Sequence, residues 1–323
     1  MKSGSDKLQH DAVRNPLGAV RHLALAAFAA TALTVPAFAQ TQPTPPVGPD
    51  FSKIEVKTTD LGKNTYMLEG AGGNVTVAVG KDAVVMVDGS FAPMHPKLKA
   101  AIEAQSKLPI KYLVNTHYHG DHTGGNEAFA KDGVTLVAHP NVGMRLASGT
   151  THNLTGAKTP PRPDAVPKLT YEDTLALDLK GRVVQLRHPQ LAHTDGDTYV
   201  WFADANVLAT GDTVTIGRYP NIDVTNGGNI RGMITASGKY LRLANKNTKI
   251  VPGHGPLTNK EQLAEYRAML VTSRDRMRKL IKENKTEQDV MALKPFADLD
   301  AKWAANDQAS QNWIKVVYNS LRK

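Results

Sequence analysis

The sequence predicts an α/β fold, two sheets packed face to face with helices on the outside. Three observations carry this expectation. The runs "AVVMVDGS" (83–90) and "IKYLVNTH" (110–117) are nearly all apolar at their centres, so each strand must be covered on both faces. A second group of strands begins near residue 174, so strands, helix, strand and helix occur twice in the same order, without a sequence repeat. The long segment "KEQLAEYRAMLVTSRDRMRKLIKEN" (260–284) places apolar residues at helical spacing over many turns, as an outer layer requires.

The elements follow in chain order. Residues 1–39 read as a secretion signal: Lys2, Lys7, Arg14 and Arg21 lead into the apolar run "LALAAFAATALTV", and Ala37-Phe38-Ala39 offers small residues to a signal peptidase. Cleavage near Ala39 and a periplasmic or secreted product are expected. The run is short against the roughly 20 apolar residues of a membrane span, so no stable membrane anchor is expected. Residues 40–50, "QTQPTPPVGPD", read as a flexible leader, and 51–323 as one domain. From Phe51 the pattern is β-rich; "KNTYMLEG" and "GGNVTVAVG" alternate between glycines as a meander, with "GGN" read as a plain turn over the alternative of a mobile hairpin above the site. "HPKLKAAIEAQSK" is helical, "VTLVAHP" a strand and "NVGMRLASG" a short helix. Residues 151–167 carry four prolines and read as a loop. "TLALDLKGRVVQLRHP", "DTYVWFAD" and "NVLATGD" supply the second strand group, "NIRGMITASGKYLRLA" a helix, and "TKIVPGHG" a last short strand. "SQNWIKVVYNSL" closes the chain as an amphipathic helix.

Composition excludes some chemistry. There is no cysteine, hence no disulfide, no lipid-anchored cysteine and no thiolate metal ligand. The formal charge is +9, and +7 once Lys2, Lys7, Arg14, Arg21, Asp6 and Asp11 leave with the signal. The densest basic stretch, "SRDRMRKLIKENK", reads as a solvated helix face, so no nucleic-acid partner is expected. The expected partner is a small-molecule substrate, and the oligomeric state stays open.

"NTHYHGDHTGGN" (115–126) packs His117, His119, Asp121 and His122 into six residues. Alternate side chains share a face at a strand end, so His117 and His119 point together while Asp121 and His122 leave from the turn. His193 in "LAHTDGD", Asp212 in "ATGDTV" and His254 in "VPGHGP" follow at further strand-to-loop junctions. Histidine and carboxylate together suit zinc and other first-row divalent metals.

These four motifs, in this order, resemble the metallo-β-lactamase superfamily over nearly the whole chain from Phe51. The resemblance implies a four-layer αβ/βα sandwich with two metals at one edge between the sheets. It implies that His117, His119 and His193 hold the first metal, that Asp121, His122 and His254 hold the second, and that Asp212 bridges them. Two zinc ions are the expected cofactors, with manganese or iron as alternatives. The best-known β-lactamase branch has cysteine where Asp212 stands; the lactonase, glyoxalase II and phosphodiesterase branches have aspartate. The lysine that reads a carboxylate in some β-lactamases falls at Thr215 here, so Arg218, Thr215 and Asn226 become the candidates for that task. Ala192 replaces a common glycine.

The chemistry implied is hydrolysis, because two metals sharing a water supply hydroxide near neutral pH and polarise the substrate oxygen. Asp121 is the expected catalytic residue, orienting the attacking water and shuttling its proton. Asp88 is expected to accept a hydrogen bond from a ligand imidazole from behind, with Thr116 and Thr194 weaker candidates. Tyr219 is weighed as an oxyanion donor against a surface loop role, and His152 as a cleft residue. His95, His139 and His188 each adjoin a proline and read as loop or strand-end residues; Trp201 reads as core, and Trp303 and Trp313 as packing for the C-terminal helices. An exported hydrolase opening a β-lactam or another cyclic amide or ester is the leading expectation. A lactonase or thioesterase is the alternative, and a mononuclear iron sulfur dioxygenase or a non-catalytic metal-binding protein ranks below.

Overall fold

Strand β4 (Val84–Val87) is buried at every position, and its two faces serve two different cores. Val84 and Met86 face helices, while Val85 and Val87 face a second sheet. That division, read off a period of two, generates the architecture. The computed structural model describes residues 49–322. The expected signal segment, 1–39, and the leader up to residue 48 lie outside the described residues.

The first sheet opens as an antiparallel meander of β1 (Lys57–Gly62), β2 (Thr65–Glu69), β3 (Val75–Val79) and β4. Helix α1 (His95–Glu103) then crosses over to β5 (Ile110–Val114), which lies parallel to β4. Two short helices, α2 (Gly120–Thr123) and α3 (Asn126–Lys131), lead to β6 (Thr135–Ala138) and α4 (Pro140–Ser148). The proline-rich stretch expected as a loop carries a two-residue hairpin, β7 (Thr150–Thr151) with β8 (Lys158–Thr159), and then β9 (Leu169–Thr170) completes a seven-stranded sheet in the order β1-β2-β3-β4-β5-β6-β9. The hairpin is stapled by backbone bonds rather than by apolar burial, which is why hydropathy does not announce it.

The second sheet holds β10 (Thr174–Asp178), β11 (Val183–Arg187), β12 (Tyr199–Phe202), β13 (Val207–Ala209) and β14 (Lys249–Val251). It is antiparallel through β13, and β14 joins β13 in parallel after the crossover helix α5 (Ile230–Leu243). Four helices finish the chain: α6 (Lys260–Lys282), α7 (Glu287–Leu293), α8 (Ala297–Trp303) and α9 (Asp307–Arg322). The sequence reading did not separate α7 and α8. Thr286 announces α7 with a capping box through Asp289.

Three cores stack across the layers. Leu98 and Ile102 of α1 and Phe129 of α3 pack on Met86, Leu113 and Leu136. Between the sheets lie Met67, Val85, Val87 and Val114 against Leu186, Val200, Phe202 and Val251. Outside the second sheet, Met233 and Tyr240 of α5, Tyr266 and Leu270 of α6 and Trp313 of α9 cover Leu208 and Ile250. The result is two mixed sheets flanked by helices, the layering that the resemblance implies. Trp303 and Trp313 are buried in the helical core, and Trp201 packs half-buried against it. No helix among the described residues is long and apolar enough to cross a membrane.

Candidate metal centre

The carboxyl ends of β5, β11, β13 and β14 meet at one edge. His117 and His119 follow β5, Asp121 and His122 sit in α2, and His193 lies between β11 and β12. Asp212 occupies a 3-10 turn after β13, and His254 follows β14. The seven side chains meet as two groups: His117, His119, His193 and Asp212, and Asp121, His122 and His254, with the donor atoms of each group within 4.8 Å of one another.

Hydrogen bonds behind the rings assign their tautomers. Thr116 Oγ1 donates to Asp88 Oδ2 at 2.7 Å, so at 3.0 Å it accepts from His117 Nδ1 and leaves His117 Nε2 as a lone pair. His193 Nδ1 donates to the Asn221 carbonyl at 2.6 Å, freeing Nε2. His122 Nδ1 donates to Asp88 Oδ2 at 2.8 Å, again freeing Nε2. His119 is reversed: Nε2 donates to Asp223 Oδ2 at 3.1 Å, so Nδ1 faces the centre.

The freed atoms are crowded. His119 Nδ1 and His193 Nε2 stand 3.0 Å apart, and His122 Nε2 and His254 Nε2 3.4 Å. Asp212 reaches histidines of both groups: Oδ1 is 3.2 Å from His122 Nε2, and Oδ2 is 3.4, 3.7 and 4.0 Å from Nε2 of His254, His193 and His117. Asp121 Oδ2 lies 3.1 Å from His254 Nε2. His117 Nε2 and Asp212 Oδ1 are buried without a hydrogen bond among the described residues. The opposed lone pairs of His119 Nδ1 and His193 Nε2 and the unpartnered buried nitrogen of His117 are costly, and a cation among them removes the cost. The donor set therefore fits a binuclear His/Asp metal site, His117, His119 and His193 on one side, Asp121, His122 and His254 on the other, and Asp212 between.

Protonation follows the same division. Burial, with His122 and His193 alongside, holds His117 well below the usual imidazole range, and burial takes His193 down to about 4. For His254 burial acts downward, but Asp212 and Asp121 outweigh it and lift the ring to about 9. His122 is likewise raised, with Asp121, Asp212 and Asp88 overcoming its burial. Burial would raise Asp121 and Asp212, yet His122 and His254 pull Asp121 down to about 2 and Asp212 well below the carboxylate range. In the metal-free protein the second group thus carries protons where a metal would sit.

Backbone geometry makes room for this packing. Asp88 adopts a left-handed conformation, φ 66°, at the end of β4, and this turns its carboxylate onto Thr116 and His122. At Gly73 a Cβ would lie 2.1 Å from His122 Cε1, so only glycine lets the turn cross the ring. That turn is tied down, with Gly73 N–H on the Asp121 carbonyl and Asn74 Nδ2 on the carbonyls of Pro252 and Gly255.

A cavity of about 650 Å³ opens above the centre, with His119, Asp121, Asp212 and His254 at its floor. Phe91, Tyr118, Leu146, His152, Arg145, Arg162 and Arg218 line its walls. Of the four residues expected to meet a substrate, the structure places Arg218 alone on this surface. Tyr219 turns away: its ring stacks on Trp313 at 5.0 Å and its hydroxyl donates to Asp300 at 2.8 Å. Its side chain is occupied in the helical core, so it offers no oxyanion donor. Thr215 is buried beside His254 in an isolated bridge. Asn226 is buried behind the wall, bonded to Asp223, Arg145 and the Thr151 carbonyl. Thr194 donates to Asp197 and makes no hydrogen bond to a ligand ring among the described residues.

Sequence reasoning missed three residues that shape the centre. Asp223 and Asn221 orient His119 and His193 from a loop with no local signature. Asp197, within the quoted "AHTDGD", accepts from the backbone N–H of His193 at 2.6 Å and of Thr194 at 3.0 Å. The second aspartate of that motif was the available signal.

The model of the "Metallo-beta-lactamase superfamily" matches residues 68–254, more than half of the chain and all seven candidate ligands. A "Beta-lactamase-like protein 2 homolog" from Caenorhabditis elegans is 24% identical over 267 residues, 81% of this chain and 79% of the relative. A "Hydroxyacylglutathione hydrolase" from Methylococcus capsulatus is 32% identical over 136 residues, 42% of this chain and 44% of that protein; the match thus spans less than half of its length. A "Metallo-beta-lactamase from Pontibacter korlensis" superposes with a TM-score of 0.55 at 19% identity, covering 67% of this chain and 99% of that one, which speaks for the fold. Sheet order, converging ligands and family match agree: the chain belongs to the metallo-beta-lactamase superfamily, as a metal-dependent hydrolase with its His/Asp site intact.

Proposed function

We propose that the protein is an exported di-zinc hydrolase that opens a carboxylate-bearing cyclic amide, with a β-lactam as the leading substrate. One observation carries the reading. The complete seven-residue centre lies at the floor of a cavity of about 650 Å³ whose uncommitted cation is Arg218. Arg145 is spent on Asp195 and Asn226, and Arg162 on Thr123, whereas Arg218 is exposed and has no hydrogen-bond or ion-pair partner among the described residues. An unpaired guanidinium at a cavity wall suits a substrate carboxylate.

When bound, the metals supply hydroxide at neutral pH and polarise the substrate oxygen. The protein's own part is positional. Asp121, ionised at the cavity floor, orients the attacking water, takes its proton and returns it to the leaving nitrogen as the ring C–N bond breaks. Asp88, Thr116 and Asn221 hold three imidazoles in register, so no reorganisation is needed when the substrate arrives. Phe91 and Leu146 give the cavity an apolar wall against which a ring can lie.

A second reading, hydrolysis of a lactone or thioester, is supported by the aspartate at position 212 and by the likeness to a hydroxyacylglutathione hydrolase. Turnover of a chromogenic cephalosporin by zinc-loaded protein, run beside a lactone and a thioester panel, separates the two. The first reading expects chelator-sensitive cephalosporin hydrolysis with KM raised in Arg218→Ala. Chelator-sensitive turnover of lactones or thioesters alone would replace it with the second.

A further inference from the structure

The three imidazoles of the first group are oriented from behind by unlike acceptors. Thr116 Oγ1 serves His117 and the Asn221 carbonyl serves His193, both neutral. His119 alone in that group is backed by a carboxylate, that of Asp223, which is 1% exposed. Of the three imidazoles, His119 is also the one that lines the cavity, with 20% of its side chain exposed, so it is the ring that water and substrate can approach.

Asp223 is itself clamped. Tyr118, from the same "HYH" stretch, donates its hydroxyl to Oδ2, and Asn226 Nδ2 reaches Oδ1 and Oδ2 at 2.9 Å each. The Asp223 N–H donates to the His193 carbonyl at 2.9 Å. One loop, 221–226, therefore orients two of the first group's three histidines, one by a carbonyl and one by a carboxylate.

We propose that Asp223, clamped by Tyr118, is a positioning residue that fixes His119 in the Nε2–H tautomer and so presents Nδ1 to the first metal. This rests on the metal-dependent reading of the same site, and needs no particular substrate. Without the carboxylate, the ring is free to exchange tautomers and to rotate into the cavity. Outer-shell carboxylates of this kind change metal affinity by roughly 10- to 100-fold.

The test is a zinc titration of the metal-free full chain followed by histidine ring NMR, with His193 reporting the first site and His254 the second. In Asp223→Ala the first site is expected to weaken 10- to 100-fold, the second to stay within twofold of wild type, and the His119 Nε2–H signal to vanish. Asp223→Asn, which retains an acceptor of the same size, should recover most of the loss. Should the alanine variant fail to fold, Asn and Tyr118→Phe carry the test, the latter with a smaller first-site loss and an unchanged second site. First-site affinity within twofold of wild type and an intact His119 signal would overturn the proposal. Equal weakening of both sites would also overturn it, by making Asp223 a holder of the loop only. A wild-type chain that takes up no zinc would overturn the metal reading and this proposal with it.

Discussion

Asp88→Ala removes the acceptor that joins the end of β4 to both metal groups. The carboxylate is 1% exposed and accepts from Thr116 N–H at 2.7 Å, Thr116 Oγ1 at 2.7 Å and His122 Nδ1 at 2.8 Å. The hydroxyl can rotate to another acceptor; the backbone N–H and the ring N–H cannot. Leaving a buried donor unsatisfied costs about 1–3 kcal/mol, so the two fixed donors together cost about 2–6 kcal/mol. Alanine at φ 66° adds about 1–2 kcal/mol, a conformation that aspartate and asparagine tolerate better. Asp88→Asn keeps the backbone tolerance and one acceptor, and should lose roughly half as much. Urea denaturation of metal-free protein measures the loss without the contribution of metal binding. Zinc affinity of the second site should fall roughly 10- to 100-fold in parallel, because His122 loses its orientation. A loss under about 1 kcal/mol, with second-site affinity unchanged, would refute the claim that Asp88 joins fold to site.

Other outcomes follow from the same geometry. Gly73→Ala drives a methyl group into the His122 ring, 2.1 Å from Cε1, and should cost the second metal before the first, as metal analysis would show. Tyr219→Phe should leave kcat unchanged and lower stability by about 0.5–1.5 kcal/mol, since the hydroxyl bonds Asp300 and no substrate; a fall in kcat would return Tyr219 to the active site. His254 sits at about 9 in the metal-free protein, above its unfolded value of about 6.5. Its contribution to metal-free stability is therefore complete below pH 6.5 and lost as pH rises through about 9; zinc uptake, which must displace that proton, should strengthen over the same range. Denaturation and zinc titration at stepped pH check both trends. His117→Ala should lower zinc content and turnover together, while His152→Ala should leave zinc content intact.

The convergence of the seven candidate side chains was legible because local spacing encodes it. His117, His119, Asp121 and His122 lie within one turn, and His193, Asp212 and His254 each close a strand-to-loop motif. The strand buried on both faces, 84–87, was equally plain from its continuous apolar sequence, whereas 110–114, also expected to be covered, is buried only at Leu113 and Val114 and exposes Lys111. What escaped depends on tertiary approach. Asp223 reaches His119 across 104 positions, through a loop whose residues show no periodicity. Tyr219 stands seven residues after Asp212, close enough in sequence to suggest a catalytic role, but α9 brings Trp313 beneath its ring and α8 brings Asp300 to its hydroxyl. Strand β9 has two residues and pairs only through β6, too short for a pattern of period two to show.

The most direct test is one titration: zinc added stepwise to metal-free protein, with bound metal and cephalosporin hydrolysis followed together. Turnover that rises to a plateau at two equivalents, and falls to nothing with chelator, is the predicted result. A plateau at one equivalent, or two bound equivalents without turnover of any cyclic amide, ester or thioester, would contradict a hydrolase built on seven ligands bridged by Asp212.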